Sequence, residues 1–370
     1  MQKLKSIAKL FVQKYLRNGR AQAHEFLQFR LAERKLREKC RYQPARFALI
    51  GCGRQGSSIA SVIASIPKFE LAAVLDKNQA SAEIVARKHK AASVFGNAQD
   101  FWPVARDCDA LIIATTATSH FPLTTEALEA GVRSIVLEKP VTNCISQARG
   151  LIELAQQKNA RIVVNHTRRY LPSFAGLKRL LASNVIGRPR AIQFITGRAG
   201  LAMIGTHLFD IAFYLFDSRL RSISATLDDE VDPTDRGAGF HDPCGYCHGE
   251  LENGIRLTMD LSADLISRQL FFVIVGEHGR IEVDERLGYI RILGQSGKIA
   301  EMEYMFPTAL RLGIANVLSG LVQKEPIQCT LQDGLNALEA VIACHHAHQT
   351  AQQCRLPVPE KISEQVFDFA

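Results

Sequence analysis

Hydrophobic positions along the chain change period twice. In the first stretch Leu4, Ile7, Ala8, Phe11 and Tyr15 recur at helical spacing, and Phe26, Phe29, Ala32 and Leu36 do so again after Asn18-Gly19 breaks the run. Two short amphipathic helices are predicted, with Lys3, Lys5, Lys9, Lys14 and Arg17 on the polar side. From residue 46 short continuous apolar runs alternate with helical patterns. Arg46–Ile50, Glu70–Leu75, Asp109–Ala114, Ser134–Leu137 and Arg161–Val164 read as strands. The helical patterns begin at Ser57, span Ser119–Ala130 up to Gly131, and span Gln147–Gln157. Strands buried on both faces and separated by helices imply a parallel, doubly wound sheet.

From residue 188 the period becomes two. Candidate strands are Arg190–Gly197, Ser222–Thr226, Gly245–Leu251, Ile255–Leu261, Leu270–Val275, Arg280–Val283 and Tyr289–Leu293. Asn253-Gly254 between two of them is a strong hairpin signal. The fold class is therefore α/β: a Rossmann domain over 46–166, then an α/β domain over 167–358 with an open, mostly antiparallel sheet. A basic arm (1–45) precedes them, ending at the linker Arg41-Tyr42-Gln43-Pro44, and a tail (359–370) follows. The last helix, about 331–352, is expected to pack back on the first domain. Asp228–Asp242, rich in Asp, Gly and Pro, reads as a loop.

Composition adds exclusions. With 370 residues, 47% hydrophobic and 22% charged, the chain is neither a disordered polymer, a collagen nor a coiled-coil rod. No apolar run approaches the ~20 residues that span a bilayer, and no secretory h-region opens the chain. The net charge of +8 suggests nucleic acid until its position is read. Residues 1–46 hold 13 Lys/Arg against 3 Asp/Glu; the rest hold 32 against 34. The body is near neutral, so no nucleic-acid partner is expected. The arm is read as packing on its own protein or a neighbouring subunit, with a membrane surface as the sharper alternative. Nine cysteines without regular spacing point to a reducing, cytoplasmic compartment.

The chemistry starts after the first strand. Gly51-Cys52-Gly53-Arg54-Gln55-Gly56 has a strand before it and a helix after it, the context a dinucleotide site requires. Gly51 allows the tight turn, Gly53 lets backbone approach a pyrophosphate, and Gly56 lets helix pack on strand. Asp76 ends the second strand 20 residues past Gly56, where a carboxylate binds ribose hydroxyls and repels a 2′-phosphate. NAD is the expected cofactor, with NADP left open by Lys77 and Arg54 nearby. The ends of the later strands carry Thr115-Thr116, Glu138-Lys139-Pro140 and Asn165-His166, which converge on one crevice.

With Gly51–Gly56, Asp76, Thr115-Thr116 with His120, Glu138-Lys139-Pro140, Arg168-Arg169-Tyr170, Gly205-Thr206-His207-Leu208-Phe209-Asp210 and Leu331–Glu339 in this order, the chain resembles the glucose-fructose oxidoreductase and inositol dehydrogenase family over about residues 46–358. The resemblance implies hydride transfer between nicotinamide and a hydroxyl-bearing carbon of a sugar, nucleotide sugar or cyclitol. It implies that Lys139 sits beside the reacting hydroxyl, that His207 is the acid/base and that Asp210 holds substrate hydroxyls. Arg169 and His166 are further substrate-binding candidates, and Arg168 with Arg169 suits an anionic group. The cofactor-binding candidates are Gly51, Gly53, Arg54, Gln55, Gly56, Asp76, Thr115, Thr116, His120, Glu138 and Lys139. A cis peptide is implied at Lys139-Pro140, and a homodimer or homotetramer through the free sheet face.

One position departs from the pattern. Many members carry aspartate four residues before the histidine, and here Met203 stands there. A cofactor-binding but catalytically silent regulator, docking through the basic arm, is thus the alternative. Cys244-Gly245-Tyr246-Cys247-His248 matches a c-type haem motif, but a strand would turn two cysteines three apart to opposite faces, so neither haem nor a metal is expected. His345, His346 and His348 are read as a solvated helix face.

Overall fold

The computed structural model describes residues 42–228, 239–263, 270–285, 287–295, 297–303 and 309–369. The predicted arm helices and most of the Asp228–Asp242 loop lie outside the described residues.

Six parallel strands form the first sheet: β1 (Ala45–Ile50), β2 (Phe69–Leu75), β3 (Ser93–Phe95), β4 (Ala110–Ile113), β5 (Ser134–Leu137) and β6 (Arg161–Val164), in the order β3-β2-β1-β4-β5-β6. The strand order reverses between β1 and β4, which opens a crevice outside their carboxyl ends. Helices α1 (Arg54–Ile63), α2 (Gln79–His89), α3 (Ala98–Arg106), α4 (Ala117–Glu129) and α5 (Ile145–Gln157) cover the sheet. β1, β4, β5 and β6 are apolar and buried along almost their whole length, as a two-sided sheet requires. The helix expected to begin at Ser57 starts at Arg54, because Gly53 takes the N-cap position. The weakly apolar segment 79–106, which carried no sequence signal, supplies α2, β3 and α3. Tyr42, expected in a linker, is buried edge-on against Phe69 with ring centroids 5.4 Å apart.

The second sheet has nine strands. They are β7 (Pro189–Gly197), β8 (Leu220–Leu227), β9 (Gly245–Leu251), β10 (Arg256–Ala263), β11 (Leu270–Gly276), β12 (Gly279–Asp284), β13 (Tyr289–Gly294), β14 (Gly297–Glu303) and β15 (Cys354–Arg355), ordered β14-β13-β12-β11-β7-β10-β9-β8-β15. All neighbours are antiparallel except β7 and β10. The Asn253-Gly254 hairpin joins β9 to β10, with Gly254 at φ +84°. Inward residues such as Ile192, Phe194, Phe272 and Ile274 are buried, whereas Ile195, Tyr246 and Val275 stand exposed on the free face.

Helices α6 (Pro172–Ala182), α7 (Thr206–Phe216), α8 (Ala309–Val322), α9 (Leu331–Thr350) and the short α10 (Glu360–Ser363) complete the chain. α9 begins with a reciprocal capping box between Thr330 and Asp333 and runs from β6 and α5 to β8. One expectation fails here. His345 is not on a solvated face: it is buried against Phe367 and Phe369, with centroids 5.3 and 6.2 Å away, and burial pushes its pKa down to about 4. Cys244 lies just before β9 and its thiol donates to Asp228 Oδ2 (3.0 Å), whereas Cys247 lies within β9; both thiols are buried. No group of three or more His, Cys, Asp or Glu suited to a metal gathers among the described residues.

Phe369 is fully buried although it lies near the end of the sequence. Replacing it with Ala is expected to lower unfolding free energy by about 3–5 kcal/mol. Urea melts of the two proteins check this, and a difference under about 1 kcal/mol would show the aromatic cluster to be dispensable.

Candidate active site

The first element of the site is the turn after β1. Gly51 has φ +93°, and a Cβ there would lie 2.6 Å from the carbonyl oxygen of Ala114. The carboxyl ends of β1 and β4 are that close, so a side chain has no place. A Cβ on Gly56 would lie 1.8 Å from the Gly51 carbonyl, which is how closely α1 packs on the turn. Gly53 is different, with open space where a Cβ would stand. It is the N-cap of α1, and no side chain caps the helix. Uncapped amides and open space above them suit a pyrophosphate. Asp76 accepts from the amide of Cys52 (2.6 Å) through Oδ2 and from Asn78 (2.8 Å) through Oδ1. Its carboxylate is thus fixed at the turn, and each oxygen keeps acceptor capacity for a ribose hydroxyl. These residues fit a dinucleotide.

The next strand ends bring the remaining candidates in. Ser119 donates to the hydroxyl of Thr115 (2.9 Å) and the carbonyl of Thr116 (2.9 Å). His120 is fully buried, its Nδ1 2.8 Å from the Pro140 carbonyl and its Nε2 3.3 Å from the Thr115 carbonyl. It braces the Thr turn against the Lys139-Pro140 bond, which is cis. Glu138 is buried and accepts from Gln55 (2.9 Å) and Asn165 (2.5 Å), and Thr167 donates to Asn165 (3.0 Å). One carboxylate therefore locks α1 to the ends of β5 and β6.

Lys139 reaches across to the second domain, where Nζ donates to the Met203 carbonyl at 2.6 Å. Met203 lies in a π-helical turn, Leu201–Gly205, that runs straight into α7. His207 follows one turn later. Its Nδ1 is 3.2 Å from Nδ1 of His166, with the rings edge to face. Two nitrogens at that distance share one proton. Burial first, and then Lys139, hold the His207 pKa well below 6.5; burial and Arg169 do the same for His166. Nε2 of His166 is buried without a partner, while His207 as a residue is half-buried.

Arg169 and Asp210, the expected substrate ligands, face each other. Arg169 Nε lies 2.9 and 3.1 Å from the two carboxylate oxygens, its second terminal nitrogen is 2.8 Å away, and its first reaches Asp333 at 3.1 Å and the Gln328 carbonyl at 2.8 Å. Both residues are buried. Burial pushes the Asp210 carboxyl up to about 6 despite the guanidinium. Arg168 makes a two-pronged pair with buried Glu285 at 2.7 and 2.8 Å. Sequence reading put Asn165 at the crevice without a role, and missed Glu285 and the part played by Asp242. Asp242 accepts from the amides of Ala202 (2.7 Å) and Met203 (2.9 Å), and nothing local in an Asp-Gly-Pro-rich loop announces that. A separate hollow of about 250 Å³ between Thr226, Tyr246, His248 and Gln352 shares no residue with the site.

Known proteins share this fold. Residues 45–166 match the family model described as an oxidoreductase family with an NAD-binding Rossmann fold. The scyllo-inositol 2-dehydrogenase (NAD(+)) of Bacillus subtilis is 29% identical over 195 residues, 48% of this chain and 56% of that protein. An inositol 2-dehydrogenase of Rhizobium meliloti is 27% identical over 210 residues, 53% of this chain and 62% of that protein. The chain thus matches less than two thirds of the length of these relatives. A levoglucosan dehydrogenase solved with NADH and levoglucosan superposes with a TM-score of 0.75 at 18% identity, covering 86% of this chain and 100% of that one. Residues 45–166 thus form a domain similar to the NAD-binding Rossmann fold of that oxidoreductase family.

Two outcomes follow from the geometry. Gly53→Ala is expected to leave thermal stability unchanged while weakening NADH binding about tenfold or more, because its methyl stands where the pyrophosphate approaches. Gly56→Ala is expected to destabilise the fold itself. Fluorescence titration and melting curves separate the two, and equal behaviour of both variants would count against the turn's assignment.

The second outcome concerns pH. His166 and His207 bind protons less readily folded than unfolded, so the unfolded chain gains protons first as pH falls through 6.5. Stability is therefore expected to drop between about pH 7 and pH 5, by up to about 1.4 kcal/mol per pH unit for each histidine. Asp210 opposes this below about 6, where the folded chain takes up its proton first. Urea midpoints measured across the range test the sign; a midpoint that rises on acidification from pH 7 to 6 would refute it.

Proposed function

We propose that the chain is an NAD-dependent dehydrogenase acting on a secondary alcohol or ketone carbon of a small polyol: a cyclitol, a sugar or a nucleotide sugar. The observation that carries the reading is the joint between Lys139 and the turn that leads into His207. It holds an ammonium and an imidazole at one edge of the crevice, beside a turn built for a dinucleotide. NAD, when bound, supplies the carbon that accepts or returns the hydride. The alcohol proton goes to Nε2 of His207, which is neutral at physiological pH because its cation is disfavoured. Lys139 stabilises the charge that develops on the substrate oxygen. His166 accepts or donates at Nδ1 and fixes the tautomer of His207. Arg169 and Asp210 act as a mutual brace behind His166, whose Nδ1 is 3.8 Å from the Asp210 carboxylate. The Asp76 carboxylate favours NAD over NADP through repulsion of a 2′-phosphate.

Further parts of the reading concern surroundings. The exposed apolar residues Ile195, Tyr246 and Val275 on the free sheet face support a homodimer or larger assembly. The eight described cysteines are all free, which supports a reducing, cytoplasmic setting. Among the described residues no helix is long and apolar enough to cross a membrane. A silent, cofactor-binding scaffold is the second reading, favoured by Met203, whose side chain offers no proton-carrying group.

Lys139→Ala is expected to retain NADH binding by fluorescence while turnover on a panel of inositols and sugars falls about 10²–10⁴-fold. Wild-type turnover on that panel excludes the scaffold. Inertness of the wild type toward every polyol, with NADH bound, would favour it. Light scattering after gel filtration is expected to give at least twice the monomer mass, and a monomer would refute the assembly.

A further inference from the structure

The helical segment that carries Met203 and His207 begins at Leu201, and its first residue before the helix is Gly200. A glycine offers no side chain to cap the free amides of a helix start. The cap comes from elsewhere in the chain. Leu201 donates to the Pro243 carbonyl (2.9 Å), Ala202 to Oδ1 of Asp242 (2.7 Å) and Met203 to Oδ2 of Asp242 (2.9 Å). Asp242 is buried, and a Cβ at position 200 would lie 2.0 Å from its Oδ2. Glycine at 200 and aspartate at 242 thus form one feature. A carboxylate there also meets the positive end of the helical segment.

The residues around Asp242 are fastened on both sides. His241 donates its amide to the Asp368 carbonyl (2.8 Å). One residue earlier, Phe367 exchanges bonds with Asn143: its amide donates to the Asn143 carbonyl (3.0 Å), and the Asn143 side chain donates to the Phe367 carbonyl (2.7 Å). Asn143 lies just past the cis Lys139-Pro140 bond. A single short segment, 367–368, therefore connects the loop after Lys139 with the loop before Asp242. Both ends of the Lys139–Met203 hydrogen bond are anchored to it.

We infer that Asp242 is a positioning residue for Lys139: by holding the amides of Ala202 and Met203 it aims the Met203 carbonyl at the Lys139 ammonium, and so restrains that ammonium through the backbone where position 203 has no carboxylate. The inference rests on the proposed role of Lys139, yet it is tested without turnover. Site-resolved acetylation with acetic anhydride at about pH 8, read by peptide mass spectrometry, compares Lys139 with the surface residue Lys158 as an internal standard. In Asp242→Asn, which keeps shape but replaces one acceptor by a donor, Lys139 is expected to label about threefold to tenfold faster relative to Lys158, the loss of a charge-assisted hydrogen bond. Gly200→Ala, whose methyl displaces the same carboxylate, is expected to do likewise. NADH binding is expected to persist in both.

A Lys139 to Lys158 ratio unchanged in folded Asp242→Asn protein overturns the inference. So does an equal rise at every lysine, which reports general loosening. If Asp242→Asn is not obtained folded, Gly200→Ala decides by the same ratio; failure of both to fold also overturns it, because the contact then serves the fold alone. A changed ratio in a chain that turns over no polyol would leave the inference standing and sink the dehydrogenase reading.

Discussion

The site depends on a single hydrogen bond, that from the Lys139 ammonium to the Met203 carbonyl at 2.6 Å. The two residues come from different sheets and are 64 positions apart. Lys139 lies two residues past the end of β5 of the parallel sheet, and Met203 leads into α7 beneath the mostly antiparallel one. A charged donor facing a carbonyl in a half-enclosed place is worth more than a surface contact, since little water competes for either partner. It also sets geometry. With the ammonium held on the Met203 carbonyl, the imidazole one turn along the same helical segment has a fixed place relative to it.

Around that joint the charges are arranged unevenly. Two imidazoles touch, and cations stand on several sides: Lys139, Arg168 and Arg169. Left alone these would make the region strongly positive. Asp210, Asp333 and Glu285 answer the guanidinium groups directly. Buried ion pairs of this kind seldom add net stability, because desolvation offsets attraction. Their effect here is directional. Arg169 is clamped by two acids, so it cannot serve as a free fork for a substrate anion. Asp333 also caps α9, which ties the pair to a helix rather than to a loop. The acids are used up inside the protein, and the crevice keeps an ammonium and a neutral imidazole pair. That is a composition suited to a hydroxyl that becomes an oxyanion, and less suited to a bound phosphate or carboxylate.

Much of the first domain was legible because its signals are local. Continuous apolar runs at β1, β4, β5 and β6 admit one reading, and the glycine turn follows from backbone crowding against Ala114. Segment 79–106 was not legible: Gln79–His89 carries few apolar residues, and β3 is three residues long and partly exposed. The roles of Arg169 and Asp210 illustrate a second limit. Residue type and spacing put both at the site, but only tertiary packing shows that each is the other's partner. His345 illustrates a third. A histidine on the last helix looks solvated until Phe367 and Phe369, more than 20 residues later, fold over it. Long-range closure of that kind leaves no trace in local pattern.

Met203 then reads differently from how it does in the sequence alone. A side-chain carboxylate at that position would face Lys139 through a flexible arm. The backbone carbonyl faces it through a turn whose amides are pinned by a second stretch of chain. A carbonyl carries no formal charge, so it orders the ammonium without neutralising it, and the positive charge remains available to a developing oxyanion. It also carries no proton, so in the proposed reaction proton transfer would fall to the imidazoles, whose Nδ1 atoms lie 3.2 Å apart. A chain that had lost its chemistry would have no physical need to keep two imidazoles in contact and an ammonium held on the same helical segment. The arrangement costs buried polar groups left imperfectly satisfied, His166 Nε2 among them. Such a cost is commonly retained where a site must act, and this weighs against a silent scaffold.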